Sequence, residues 1–114
     1  RIKDILVFRI GAFLGLLTVF CGSIGAHGID FETAKLKELY ETGILYQAIH
    51  VPVILFLSIV GMRREAFLLI ASIVAFCWSV MIKGATGIDF DIIVPIGGMM
   101  MMLSWLWIAF SAKR

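Results

Sequence analysis

Four runs of this sequence are almost free of charged residues, and each is close to twenty residues long. They cover residues 10–26, 44–62, 66–82 and 92–112. An apolar helix of about 20 residues crosses the roughly 30 Å hydrocarbon core of a bilayer. With 61% hydrophobic residues and a mean hydropathy of +1.04, the chain carries more apolar surface than one soluble domain could bury. We therefore predict an all-α integral membrane protein, a four-helix bundle formed by one domain over residues 1–114.

The longest connection, between the first and second spans, has its own helical pattern. Its apolar residues, among them Phe31 and Tyr40, fall on one side, and its charged residues fall on the other. Asp30 is placed to cap a helix over about residues 31–42, and Gly43 to separate that helix from the second span. The segment is too polar to span. We predict a short amphipathic helix lying flat at the outer interface, with a docking helix for a soluble partner as the alternative.

Small residues occupy one face of the first span. They follow one another at steps of four, three, four and three: Gly11, Gly15, Thr18, Gly22 and Gly25. An interior Gly costs a helix about 1 kcal/mol relative to Ala in water, but in a bilayer a glycine face lets neighbouring helices approach closely. We predict that this face is the central packing surface. Further packing positions are expected at Ser79 in the third span and at Gly97 and Gly98 in the fourth.

Two short segments of the chain are nearly identical. Residues 25–31 read GAHGIDF and residues 84–90 read GATGIDF, and each follows a span that runs outward. The pattern is consistent with two related helical hairpins. The alternative is shared exit chemistry, in which Gly ends a helix and Asp caps the next one.

The basic residues are concentrated at one end of the spans. Seven of the ten lie on that side: Arg1, Lys3, Arg9, Arg63, Arg64, Lys113 and Arg114. Only Lys35, Lys37 and Lys83 lie opposite, so the bias predicts that both termini face the cytoplasm or matrix. These residues flank spans and form no stripe with aromatics, which argues against a nucleic-acid partner. The expected partners are membrane lipids and other membrane protein subunits.

Three polar residues near the outer ends of the spans are weak candidates for a cofactor or ligand site. His27 ends the first span, and Gln47 and His50 share one face of the second. Such residues in a membrane suggest a proton relay, a quinone or headgroup contact, or axial ligation of a haem. The competing interpretation, which we favour, is that they form hydrogen bonds that hold helices together.

Motifs for catalysis are missing from the sequence. No span contains an acidic residue, so the carboxylate chain of a proton-driven pump is absent. Two histidines without a nearby carboxylate or thiolate make a poor metal site, and Cys21 and Cys77 lie inside spans without metal-ligand spacing. No phosphate-binding loop or nucleophile elbow is present. We expect no enzymatic activity, no cofactor and no metal.

Several short motifs in a fixed order resemble a known family. They are GSIGAHG at residues 22–28, YQxxH at 46–50, FxxS at 76–79 followed by TG at 86–87, and PIGG at 95–98. From about Gly11 to Ala112 the chain resembles the small four-span membrane family that groups a bacterial domain of unknown function with eukaryotic transmembrane protein 256. It departs from the family pattern at Trp78, Met81 and Lys83, where the family usually has Gly, an aromatic and an apolar residue. The bulky Trp78 indicates an altered neighbour or an added partner for the outer half of the third span.

The family has no established activity, so the resemblance implies fold and topology only. We expect a non-catalytic accessory or assembly subunit of a larger membrane complex, in particular a respiratory one. The alternatives are a small transporter or channel that uses His27, Gln47 and His50, or a protein that binds quinone or haem. Eukaryotic members are associated with mitochondria. The resemblance thus implies the mitochondrial inner membrane for a eukaryotic source and the bacterial plasma membrane otherwise.

Overall fold

A computed structural model describes residues 1–112 of the chain, and the regular structure of these residues is entirely helical. The helices that span are α1 (Ile5–His27), α2 (Ala34–Val60), α3 (Arg63–Thr86) and α4 (Ile93–Ser111). All four are long and apolar enough to cross a bilayer, which confirms the predicted all-α membrane fold with four spans. Lys113 and Arg114, which contribute to the predicted charge bias, lie outside the described residues.

The first helix begins at residue 5 because Asp4 caps it. Asp4 Oδ1 accepts a hydrogen bond from the Val7 N–H at 3.2 Å, which satisfies one of the free donors of the first turn. The Asp4 N–H donates to the Ser58 carbonyl at 3.0 Å, and Oδ2 lies 3.2 Å from Arg63 Nε. The cap therefore ties the start of α1 to the turn between α2 and α3. In that turn Gly61 has the φ of 83° typical of a left-handed helix end.

The amphipathic segment is part of a longer helix, which corrects the prediction of a separate flat helix over residues 31–42. Thr33 caps this helix instead of Asp30, and α2 then continues through Gly43 and Pro52 to Val60. At about 1.5 Å per residue, its 27 residues extend for about 40 Å, so the polar N-terminal turns project beyond the hydrocarbon core. The prediction was wrong because Gly43 lies buried against α3, where its missing side chain allows close packing without a break in the helix.

The third helix contains a π-helical turn. It consists of an α-helical part (Arg63–Ser72), the π turn (Ile73–Trp78) and a second α-helical part (Ser79–Thr86). Such turns are rare and occur mostly as single interruptions of α-helices. In this protein the π turn supplies two contacts between helices, one through the Trp78 side chain and one through the backbone of Ala75 and Phe76.

The helices pack as an open row. α1 packs mainly on α2, α2 on α3 and α3 on α4, while no Cα atom of α1 comes within 8 Å of α4 in the described residues. The Cα trace measures 49 × 27 × 17 Å, so the cross-section is elongated. Only 17% of the spanning part of α1 is buried, compared with 33% for α2 and 44% for α3. The first helix therefore lies at an edge, and the prediction that it forms the central packing surface was wrong.

The glycine face of α1 lies against α2. Cβ atoms built at Gly11, Gly15, Gly22 and Gly25 would all point toward side chains of α2. At Gly15 and Gly22 the nearest atoms would be 3.4 and 3.8 Å away, which is ordinary van der Waals contact. Those two positions therefore have room for a methyl group.

A Cβ at Gly25 would overlap the Tyr40 ring, and the closest approaches to backbone atoms of another helix occur at three other glycines. A Cβ would lie 2.7 Å from the Cys77 carbonyl oxygen at Gly43, 2.5 Å from the Leu36 carbonyl oxygen at Gly84, and 2.5 Å from the Phe76 nitrogen at Gly97. These neighbours are backbone atoms, so they cannot move aside as a side chain can. The first two contacts join α2 to α3, and the third joins α3 to α4. Gly98 faces the Phe76 ring with more space, and Ser79 is buried in α3.

Candidate functional site

Gln47 connects three of the four helices through its side-chain amide. It is fully buried on α2, and its Nε2 donates to the Leu14 carbonyl at 3.1 Å and to Thr18 Oγ1 at 2.9 Å, both on α1. Its Oε1 accepts a hydrogen bond from Trp78 Nε1 on α3 at 3.0 Å. A carbonyl can only accept and an indole N–H can only donate, so these partners fix the orientation of the amide.

Trp78 stands at the end of the π turn, at one of the positions where the chain departs from the family pattern. Its indole N–H needs an acceptor inside the membrane, and Gln47 supplies one. The departure noted in the sequence thus corresponds to an added hydrogen bond between α3 and α2. Met81, another of these positions, is buried and packs in the hydrophobic core.

His50 connects α2 to α4. Its Nδ1 lies 2.6 Å from the Tyr46 carbonyl oxygen, and its Nε2 lies 2.9 Å from Trp105 Nε1. Because the indole only donates, Nε2 must accept, and Nδ1 must carry the proton that is donated to Tyr46. The imidazole is therefore neutral with both nitrogens engaged. The His50 and Trp105 rings also meet edge to face, with centroids 5.6 Å apart.

The three candidate residues do not form one cluster. His27 is exposed in the last turn of α1, whereas Gln47 and His50 are buried on α2. Gln47 bonds to α1 and α3, and His50 bonds to α4. Gln47 and His50 therefore form two separate connections from α2 to other helices, and His27 takes part in neither.

Sequence reasoning missed the partners of these residues. The sequence places Tyr40 in the amphipathic segment and gives no indication that Trp105 meets His50. Tyr40 is in fact buried and donates from its hydroxyl to the Cys21 carbonyl at 2.5 Å. The residue type could have indicated these hydrogen bonds, since a Tyr or Trp inside the membrane needs an acceptor for its polar hydrogen.

The other buried hydroxyls bond to their own helices. Each donates to a carbonyl three or four residues earlier: Ser58, Ser72, Ser79 and Ser104. In residues 1–112 every buried side-chain nitrogen or oxygen has a hydrogen-bond partner. The same residues contain no group of three His, Cys, Asp or Glu side chains arranged to hold a metal ion.

A groove of about 400 Å³ lies beside His50, between α2, α3 and α4. It is lined by Tyr46, His50, Phe76, Met101, Met102 and Trp105, together with Gly98. A haem iron would need a free imidazole nitrogen, and both nitrogens of His50 are already engaged. A haem ligand at this position would have to break the hydrogen bond to Trp105 or to Tyr46.

A charged cluster lies where α3 leads into its loop to α4, at the opposite end of the molecule from Asp4. Lys83 Nζ lies 3.2 Å from Asp89 Oδ1. Hydrogen bonds from Asp91 and Lys83 lower the pKa of Asp89, and the hydrogen bond and negative charge of Asp89 raise the pKa of Asp91. Because both carboxyls are exposed to solvent, this cluster is a loop contact and not a buried site.

Comparison with known proteins identifies related membrane proteins. The family described as "Protein of unknown function (DUF423)" matches residues 21–98. The UPF0382 membrane protein YwdK of Bacillus subtilis (strain 168) is 32% identical over 115 residues, covering 92% of this chain and 94% of the relative. The UPF0382 membrane protein SH2409 of Staphylococcus haemolyticus (strain JCSC1435) is 28% identical over 113 residues, covering 92% and 93%. No solved structure matches the chain.

Proposed function

Because this chain belongs to the DUF423 family and resembles UPF0382 membrane proteins whose names state no activity, we propose that it is a non-catalytic accessory or assembly subunit of a larger membrane complex. In its specific form, the proposal is that the larger complex is a respiratory complex. Both relatives are bacterial, which supports the bacterial plasma membrane as its location in preference to the mitochondrial inner membrane.

The observation that carries the proposal is the open row of helices. α1 and α4 each pack on one side only, and their outer faces expose large apolar side chains. On α1 these include Leu16, which is 62% exposed, and Phe20, which is 57% exposed; on α4 they include Met102 at 69% and Phe110 at 81%. A row with two apolar edges offers surfaces to other membrane helices as well as to lipid.

The polar network supports the same proposal. A channel or transporter needs polar groups that face a water-filled path and exchange partners with its cargo. Gln47 and His50 instead form hydrogen bonds with Trp78 and Trp105, and His27 lies apart from both. This arrangement favours a role in holding helices together over a role in conduction.

The test is purification of the tagged chain from its native membrane in mild detergent, followed by native gel electrophoresis and mass spectrometry. We expect a larger complex with one or more stoichiometric partner proteins. Purification of the chain alone, or only as a homo-oligomer, would show that the proposal is wrong.

Variants of the two edges make the experiment specific. Leu16→Ala with Phe20→Ala alters the α1 edge, and Met102→Ala with Phe110→Ala alters the α4 edge. All four side chains are exposed, so the isolated chain should stay folded. We expect one edge pair to release the partner while the other pair, as the matched control, retains it. Retention by both pairs would exclude these edges as the contact.

A further inference from the structure

A second groove, of about 350 Å³, lies between α1 and α3. Its walls are apolar, with Phe13 and Leu17 on α1 and Val74 and Trp78 on α3, and the one charged residue at it is Arg9. The groove follows α1 over the nine residues from Arg9 to Leu17, a rise of about 12 Å. It therefore has one cationic end and a long apolar remainder.

The cationic end faces the basic side of the molecule. Asp4, the cap of α1, pairs with Arg63 at the start of α3, so the two helices begin at the same end and run in parallel. Arg9 lies one turn into α1, within reach of the headgroup region. The groove thus extends from the headgroup region toward the middle of the membrane.

Arg9 lacks a carboxylate partner in the part of the chain that the structure describes. The ion pairs there are Arg63 with Asp4 and Lys83 with Asp89, and Glu65, the other acidic residue at that end of the molecule, forms no ion pair with Arg9. An uncompensated guanidinium at the edge of the hydrocarbon is costly. A counter-charge at that depth is available from a phospholipid phosphate, which guanidinium binds with two parallel hydrogen bonds.

We propose that this groove binds one anionic phospholipid, with an acyl chain along the apolar walls and the phosphate on Arg9. The choice of an anionic over a zwitterionic lipid follows from charge. In residues 1–9 and 61–65 there are five basic side chains and two acidic ones, and such a positive surface repels the cation of a choline headgroup. This proposal is independent of the accessory-subunit role, because it concerns the isolated chain.

The test is native mass spectrometry of the purified, delipidated chain in detergent micelles. Palmitoyl-oleoyl phosphatidylglycerol and palmitoyl-oleoyl phosphatidylcholine are titrated separately, since they have the same acyl chains. We expect phosphatidylglycerol to bind more tightly. Arg9→Gln should weaken the binding of phosphatidylglycerol about fivefold, which is the effect expected for the loss of one cation near a membrane surface. Arg9→Lys keeps the positive charge and should retain part of the affinity. Arg64→Gln, an exposed basic residue that does not line the groove, is the charge control.

A second pair of variants tests the acyl site. Val74→Phe fills the groove without changing charge, and Val19→Phe makes the same change on the exposed face of α1. We expect lower phosphatidylglycerol binding in the first and unchanged binding in the second. Glycerol phosphate is added as a competitor, and we expect it to leave the lipid bound.

Several results would overturn the proposal. They are equal binding of the two lipids, an equal loss in Arg64→Gln, no loss in Val74→Phe, or displacement of the lipid by glycerol phosphate alone. If Val74→Phe leaves lipid binding unchanged and instead releases a partner protein in the purification from native membrane, the groove holds a partner helix. That outcome would overturn the lipid site and leave the accessory-subunit proposal standing.

Discussion

Gln47 and His50 each use a tryptophan of another helix as their donor. Their polar types and spacing in the sequence favoured hydrogen bonding between helices, and the structure places Trp78 on the first and Trp105 on the second. The partners could not be predicted, because a helix interior position does not reveal which distant indole faces it. His27 does not join them, because Gln47 contacts α1 at Leu14 and Thr18, nine to thirteen residues before His27, and His27 therefore lies about 14–20 Å farther along the helix.

Gln47→Leu should destabilise the protein. It removes three hydrogen bonds and leaves the Trp78 indole N–H without an acceptor. With each interhelical bond contributing about 0.6–2 kcal/mol, we expect the loss of three bonds to lower the free energy of unfolding by about 2–6 kcal/mol. Denaturation with sodium dodecyl sulfate, followed by circular dichroism, measures this change.

A double-mutant cycle with Trp78→Phe separates the contact from general effects. We expect a coupling energy of about 0.5–1.5 kcal/mol between the two changes, because they share one hydrogen bond. Strictly additive effects would contradict the bond. Ile49→Leu, at an exposed position on the same helix, is the control and should leave stability unchanged.

The structure also predicts the tautomer of His50. Nitrogen-15 spectroscopy of the reconstituted protein should show a proton on Nδ1 and none on Nε2, because Nε2 accepts from Trp105. Trp105→Phe removes that donor and should change the Nε2 signal while leaving Nδ1 protonated. A proton on Nε2 in the unsubstituted protein would contradict the assignment.

At the scale of elements, glycines decide how closely the helices pack. The sequence predicts that the glycine face of α1 is the main packing surface, but at Gly22 on that face the structure has room for a methyl group. The tightest contacts with backbone atoms of another helix are at Gly43, Gly84 and Gly97. Hydropathy and spacing identify glycines on a face, but the distance to the next helix depends on residues far away in the sequence.

Alanine substitutions should therefore have opposite effects. Gly43→Ala and Gly97→Ala force a methyl group against backbone, and we expect a loss of about 1–3 kcal/mol in the free energy of unfolding. Gly22→Ala has ordinary contact distances and should be neutral or stabilising by up to about 1 kcal/mol. Equal tolerance at the three positions in detergent unfolding would contradict the packing described for α2, α3 and α4.

The whole molecule is an open row with α2 and α3 at the centre and an even number of spans. With an even number of spans we predict that both termini lie on one side of the membrane, and the concentration of basic residues predicts which side. The row also gives the protein two apolar edges. The proposed partner contacts belong to these edges, and the proposed lipid site belongs to the groove between α1 and α3, since the buried polar groups are already paired within the described residues.

We predict that both termini face the cytoplasm in a bacterial host. A green fluorescent protein fused to the C-terminus should fluoresce, and alkaline phosphatase fused there should be inactive, with the same result at the N-terminus. Fusion at the loop between α3 and α4, near Asp89, is the control and should give active phosphatase. Opposite results at the two termini would require an odd number of spans.

The sequence by itself determined the class of the protein, the number of spans and the presence of small-residue faces. These properties depend on local composition, because a bilayer selects any sufficiently long apolar stretch as a helix. Only the tertiary structure decided that α2 is continuous through Gly43, that α1 lies at an edge, and that Trp78 and Trp105 are the partners of Gln47 and His50. The physical reason is that the insertion of an apolar helix into lipid does not depend on which of its faces later contacts another helix. Hydropathy therefore cannot tell which face meets a neighbour, and that choice is made by close packing and by hydrogen bonds between residues distant in the chain.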